Sequence, residues 1–508
     1  SKTLEDQLSE YICPAYVDDY VSMAGWDQRA NWNLANVHDP SVMKAADGYY
    51  YMYQTDASYG NAHDGHGHFH ARRSKDLVNW EYLGATMQEA PAWVKTKLNE
   101  IRAEQGLAPI ENPSYGYWAP CARKVNDHLY RMYYCIVVNN YIKTGGLTYD
   151  GSWTERAFIG VMETSDPASN NWEDKGFVIC SSSDKGTNWN RASEGDWNAY
   201  FKFNAIDPSF IITPEGEHWL IYGSWHSGIA AVQLNPETGK TLAELPKSYG
   251  TAAEIAPYGK LIFTRTNGGR WQGAEAPEIV YHDGYYYLFL AYDALDIPYN
   301  TRVLRSTKVD GPYETLNGAV TDASKGANNN PTVLTHPYKF SEGYGWVGIS
   351  HCAVFDDGNG NWYYASQQRF PANVGGNAYS NAIMMGGVRS IQWESNGWPT
   401  VMPERYGAVP QVSISESELV GAWEHIDLSY SNGKQRTASE MVLGDDHKIT
   451  SGAWKGAAWS FNAQTNTLTC NGVELKVQRE VDWEASPRKV TIVYSGLNGI
   501  KSYWGKKK

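Results

Sequence analysis

The chain reads as an all-β protein: a five-bladed β-propeller followed by a small C-terminal β-barrel or sandwich. Three observations predict this. A short apolar run, a Gly/Asn/Asp turn and a Tyr/Trp-rich segment recur together five times. Each recurrence carries about four short strand-like segments, the content of one propeller blade. After Pro410 the repeat stops and a differently textured period-two alternation begins.

The five copies are VHDPSVMKAADGYYYMYQTD (37–56), WAPCARKVNDHLYRMYYCIV (118–137), IDPSFIITPEGEHWLIYGSW (206–225), EAPEIVYHDGYYYLFLAYD (275–293) and SHCAVFDDGNGNWYYASQQR (350–369). With Pro40, Pro120, Pro208, Pro277 and Cys352 taken as equivalent, the spacings are 80, 88, 69 and 75 residues. A second cue, a strand ending in a turn before an aromatic-bearing strand, follows in 71–84, 162–177 and 304–318. The expected division is an N-terminal extension packing on the propeller (1–33), the propeller (34–408) and an all-β C-terminal domain (409–508). One insertion breaks the pattern. APAWVKTKLNEIRAEQG (90–106) sets Trp93, Val94, Leu98 and Ile101 on one helical face and ends at Gly106, which predicts a helix packed outside the propeller. The C-terminal segments GAWEHIDLSY, GAWKGAAWSFN, TLTCNGVELKVQ and KVTIVYSG alternate with period two and show no acid pair or metal site.

Composition narrows the function classes. The 508 residues are 42% hydrophobic, and 43 basic against 56 acidic side chains give a net charge of −13. Phosphate backbones are bound by clustered Lys and Arg, so nucleic acid is excluded as a partner. No run of eighteen apolar residues is present to span a membrane. Ser1 does not begin a signal peptide, and a secreted or cell-surface chain already processed is expected. Six cysteines lie far apart without a C-x-x-C pair, which removes zinc-ribbon and thioredoxin readings. There are 21 Trp and 36 Tyr but only 12 Phe. Rings with a polar edge suit partly wet surfaces and stacking on sugars, although a β-rich core also enriches aromatics.

In each repeat the proline is expected at the start of the innermost strand, with the residue before it extended. The preceding side chains then converge on one end of the central channel: Asp39, Ala119, Asp207, Ala276 with Glu275 just before it, and His351. One such acid is adequately explained as a strand-start turn residue. The same place in three repeats points to a site, because gathered carboxylates raise one another's pKa at a cost to stability. Glycoside hydrolysis needs little more than converging carboxylates. An inverting enzyme pairs an acid and a base about 6.5–9.5 Å apart, with the attacking water between.

The motifs NVHDPS (36–41), YGYWAP (115–120), NAIDPSF (204–210), YGSWHSGI (222–229), EAPEI (275–279) and ISHC (349–352) resemble glycoside hydrolase family 43, and within it the endo-acting arabinanases with a C-terminal β-module. The resemblance implies a five-bladed propeller and hydrolysis of internal α-1,5-L-arabinofuranosyl linkages of arabinan with inversion. It implies Asp39 as general base, Glu275 as general acid, and Asp207 as the acid that tunes and orients Glu275. Glu278, three residues on, does not directly precede the small residue and proline, and alternation is expected to turn it away from the channel. His351 corresponds to a family histidine beside a channel ion, usually calcium, held largely through water. Trp118, Asn204, Ser224 and Trp225 are candidate sugar contacts. The chain departs from the commonest family wording at Ser350-His351-Cys352 and at Gly223-Ser224-Trp225-His226, which bears on the lining of the cleft more than on the reaction.

Two motifs compete for metal. NAHDGHGHFH (61–70) packs His63, His66, His68 and His70 closely, but it is expected as a loop on the cleft rim and not as a zinc site. FDDGNGNW (355–362) resembles a calcium loop, yet the same place in other repeats reads AADGY, YHDGY and TPEGE, which are hairpin turns. The expectation is therefore a monomeric arabinan-cleaving enzyme. The competing readings are an exo-acting arabinofuranosidase or β-xylosidase on the same propeller, and a non-catalytic sugar-binding propeller.

Overall fold

The computed structural model describes residues 1–142, 154–184, 201–250 and 252–508. Five antiparallel sheets follow one another in chain order. The first is Ser41–Lys44, Tyr50–Tyr53, His68–Ser74 and Glu81–Met87, and the second Tyr115–Asn126, Leu129–Asn139, Thr154–Thr164 and Glu173–Cys180. The third is Ser209–Ile212, His218–Tyr222, Ile229–Leu234 and Lys260–Phe263. The fourth begins Ala274–His282, Tyr285–Tyr292 and Asn300–Ser306. Its outer edge is shared between the short ribbon Tyr313–Glu314 and Val320–Thr321 and the strand Thr332–Thr335. The fifth is Val347–Asp356, Trp362–Arg369, Met384–Trp393 and Pro399–Val401. Each sheet is one blade. The inner hairpins close on tight turns, as at Asp283-Gly284, where both residues have positive φ (48° and 92°) as a two-residue type I′ turn requires.

The channel mouth departs from the expected geometry in an informative way. Residues before proline were expected to be extended, yet Asp39, Ala119, Asp207, Ala276 and His351 all have left-handed φ, at 49°, 37°, 53°, 58° and 60°. In three blades the proline or its equivalent lies inside the inner strand. There Glu275 faces Ala291 and Glu278 faces Phe289, so three residues on one strand span two on the other. The same slip separates Trp118 from Cys121 and Ser350 from Ala353. These are β-bulges, where a ladder N–H is not needed and proline is tolerated. Two of the five positions carry alanine, so the turn is a property of the architecture that the polar residues exploit.

Blades 1 and 5 meet through an apolar cluster that includes Val37, Val42, Met52, Phe355, Ala365 and Val388. The segment before blade 1 adds backbone bonds from Asn36 N to Met384 O (3.1 Å) and from Gly386 N to Leu34 O (2.8 Å), closing the ring. The inserted helix forms over Ala92–Glu104, buries Val94, Leu98 and Ile101 against blades 1 to 3, and ends at Gly106 with φ 72°.

The C-terminal sheet has eight strands from Gly421–Leu428 to Lys501–Lys507, and a bridge between Lys448 and Ala458 brings its two edge strands together into a nearly closed barrel. Trp423, Trp459, Leu468, Leu475 and Tyr494 fill it. It is joined to the propeller by the Trp504 indole donating to Val401 O (2.8 Å) and by the T-shaped pair Tyr338–Trp504. No acid cluster was expected in this part of the chain, but Asp482 and Glu484 meet the propeller's Glu404. The position a cation would take there is filled by Lys506, whose Nζ lies 2.9 Å from both Asp482 Oδ1 and Glu484 Oε2 and 3.7 Å from Glu404 Oε2. All six cysteines are free.

Candidate active site

The left-handed residues at the mouths of blades 1, 3 and 5, with Glu275 beside that of blade 4, bring Asp39, Asp207, Glu275 and His351 together. Nδ1 of His351 lies 2.9 Å from Asp39 Oδ1, and the Thr55 hydroxyl donates to Asp39 Oδ2 at 2.7 Å. Thr55 is fixed in turn by accepting from the Ala119 amide at 2.6 Å, and the Asp39 amide donates to Gln367 Oε1 at 2.6 Å. Burial alone would raise the Asp39 carboxyl. The His351 and His38 rings and the Thr55 hydroxyl outweigh it and hold Asp39 below the ordinary carboxylate range. Asp39 is thus ionised at neutral pH. Its Oδ2 also faces His38 Nε2 at 3.5 Å, so both carboxylate oxygens are held in fixed directions.

Asp207 and Glu275 have the opposite environment. One carboxylate oxygen of each, together with a ring nitrogen of His351, fall within 4.8 Å of one another. Burial pushes Asp207 up to about 8; His351 opposes this, and Glu275 and Asp39 add to it. Burial likewise raises Glu275, although Tyr299, His351 and Trp225 act to lower it. Two carboxyl groups gathered this close and away from water resist being ionised together. Burial on its own would lower His351, but Asp39 and Asp207 raise it to about 9, which balances part of the negative charge.

Glu278 does not turn away from the channel as alternation suggests. The bulge inserts one residue between Glu275 and Glu278, so both side chains fall on the channel side, with Glu278 one step deeper. There it accepts from Arg123 Nη2 (2.5 Å), Ser209 Oγ (2.7 Å) and Val354 N (3.0 Å), a fully engaged ion pair that crosses the channel. Beyond this plug, a cavity of about 920 Å³ opens at the far end of the propeller, lined in part by Val42, Phe210, Ile279 and Val354.

The four candidate sugar contacts divide. Trp118 presents an exposed ring at the mouth. Asn204 and Ser224 are buried, with the Asn204 amide donating to Ser224 O at 3.2 Å, so both shape the loop that carries Trp225. Trp225 donates its indole N–H to Glu275 Oε1 at 2.5 Å and meets exposed Trp271 edge to face at 5.4 Å. The histidine segment is only partly a loop: His68 and His70 lie on the strand His68–Ser74, because buried Phe69 between them anchors it to the core. Their partners are Asp56, Tyr82 and stacked rings, and neither prospective metal cluster among the described residues includes these histidines.

Residues 34–399, most of the chain, match the family model described as Glycosyl hydrolases family 43. The chain belongs to that family. Residues 403–505 match a second model, the C-terminal lipocalin-like domain. Among similar proteins, an "Extracellular endo-alpha-(1->5)-L-arabinanase" of Thermotoga petrophila is 26% identical over 94% of this chain and 95% of its own length. The "Extracellular endo-alpha-(1->5)-L-arabinanase 2" of Bacillus subtilis is 24% identical over 94% of each chain. The crystal structure of the endo-1,5-alpha-L-arabinanase from Thermotoga petrophila superposes with a TM-score of 0.68 at 24% identity, covering 94% of this chain and 99% of that one, a likeness of fold.

Several residues of this family 43 site lie outside any motif. Tyr299 donates to Glu275 Oε2 at 2.6 Å, while Thr55 and Gln367 anchor Asp39. Tyr299 stands in the connection between the second and third strands of blade 4, where only its buried place beside Glu275 marks it. Thr55 and Gln367 fall at the ends of second strands, and equivalence across the repeats was drawn on the first.

Proposed function

We propose that this chain cleaves internal α-1,5-L-arabinofuranosyl linkages of arabinan with inversion at the anomeric carbon. Asp39 takes the proton of the attacking water, Glu275 protonates the leaving oxygen, and Asp207 keeps Glu275 protonated and in place. The observation that carries this reading is the separation of the carboxyl groups by their surroundings: Asp39 lies below its ordinary range, while Asp207 and Glu275 lie above theirs. A base and an acid are thus available at the same pH on different blades of one mouth. The names of the relatives similar along the whole chain support the endo-acting form and an extracellular location.

A calcium ion belongs to the same proposal. Two carboxylates and one imidazole supply too few oxygens for direct coordination, and an ion bound directly to Glu275 would take the place of its proton. The donor set therefore fits an ion that keeps most of its water, with the His351 ring neutral whenever the ion is bound. Such an ion would supply positive charge at the centre of the channel.

The test is a time course on linear arabinan with Glu275→Ala as control. Mixed oligosaccharides early in the digest, and activity lower by about two to four orders of magnitude in the variant, are expected. Arabinose as the sole early product would move the assignment to an exo-acting enzyme. Near-wild-type turnover by Glu275→Ala would remove the acid assignment.

A further inference from the structure

Both oxygens of the Glu275 carboxyl have protein donors, and the two donors are not alike. Oε1 accepts from the Trp225 indole at 2.5 Å, and Oε2 accepts from the Tyr299 hydroxyl at 2.6 Å. An indole N–H can only donate, so Oε1 remains an acceptor in either protonation state. A proton on Oε1 would share that oxygen with a donor that cannot reverse its role, so the geometry leaves Oε2 as the better seat for the acid proton. A tyrosine hydroxyl both donates and accepts and can rotate, so it is compatible with Oε2 protonated or bare. Tyr299 is itself fully buried, with its ring packed on Ala276, the bulge residue next to Glu275, and on Ala291, which pairs with Glu275 across the strands. Its position relative to the carboxyl is thus set by the same bulge that aims the acid.

We propose that Tyr299 is a positioning residue for the reaction: it selects Oε2 as the proton-delivering oxygen of Glu275 and stabilises that oxygen once it is charged. This rests on the acid role given to Glu275 above. In the step, the Oε2–H bond breaks as an O–H bond forms on the leaving oxygen. The electron pair of the glycosidic C–O bond passes to that oxygen, and the water oxygen bonds to the anomeric carbon while its proton passes to Asp39. Glu275 goes from neutral to anionic along this coordinate. A hydrogen bond from Tyr299 to a neutral carboxyl oxygen becomes charge-assisted and about twice as strong. An interaction that strengthens toward the transition state raises kcat and leaves substrate binding little changed.

Tyr299→Phe keeps the ring and removes the donor. On linear arabinan its kcat is expected to fall about tenfold with little change in KM. On a 4-nitrophenyl glycoside of α-1,5-arabinotriose, whose leaving group departs without a proton, the fall should be less than about twofold. Tyr299→Leu and thermal melts of both variants separate loss of the hydroxyl from loss of packing. An equal fall on both substrates, no fall on arabinan, or damage in Tyr299→Leu alone would each overturn the proposal. The acid assignment fails separately and visibly: Glu275→Gln would then hydrolyse arabinan at the wild-type rate whatever Tyr299 does.

Discussion

Replacing Glu278 by alanine separates stability from chemistry within three residues of one strand. The side chain is buried and accepts three hydrogen bonds, one from the guanidinium of Arg123, which is itself mostly buried. Removing the carboxylate leaves Arg123 as an uncompensated charge inside the channel, a change that costs about 3–5 kcal/mol. The propeller has roughly 370 residues, and at about 2.1 cal/mol/K each its unfolding entropy is near 0.8 kcal/mol/K. The melting temperature should therefore fall by about 4–6 °C, measured by calorimetry or intrinsic fluorescence. The double variant Arg123→Met/Glu278→Leu, which removes both charges, should recover part of the loss. Below the transition, Glu278→Ala should still hydrolyse arabinan, in contrast to Glu275→Ala. A melting point within about 1 °C of the wild type would refute the ion-pair reasoning, and loss of hydrolysis in the folded variant would refute the division of labour between the two glutamates.

Asp207→Asn tests the cost of the acid pair. A carboxyl raised to about 8 contributes stability that is complete below the ordinary carboxylate value and is lost as pH rises through its folded value. With a chelator present, the wild type should melt progressively lower from pH 5 to 9. The variant should show a flatter profile and a higher melting point at pH 8, and parallel profiles would count against a raised Asp207 carboxyl. At the domain junction, Lys506→Met strips the ammonium from Glu404, Asp482 and Glu484. A loss of about 3–5 kcal/mol is expected by calorimetry, and a melting point within about 1 °C of the wild type would rule it out.

Much of the architecture was legible because it repeats. Five copies of one pattern identify five blades, and the acids stand out because they recur at one place in the copy. What the repeat does not contain was hidden. Tyr299 lies in a connection, the outer edge of blade 4 is divided among three short strands, and Asp482 and Lys506 are ordinary alternating residues until the barrel docks. The conformation before the prolines was misjudged for a different reason. The local preference for extended backbone is weaker than the left-handed turn that all five mouths adopt, in three of them as a bulge within the inner strand. That same bulge explains Glu278, whose spacing from Glu275 would place it on the opposite face of a regular strand.

The five left-handed residues around the mouth have a bearing on how such a protein can change. Direction and identity are decoupled there: the backbone sets where a side chain points, and the residue type sets only what it carries. Ala119 and Ala276 occupy two of the five places without contributing a functional group. Their backbone still serves the ring: the Ala119 amide holds Thr55, the Ala276 amide donates to Asp207 and its methyl seats the Tyr299 ring, so a larger residue at either place would disturb the neighbours that set the acids.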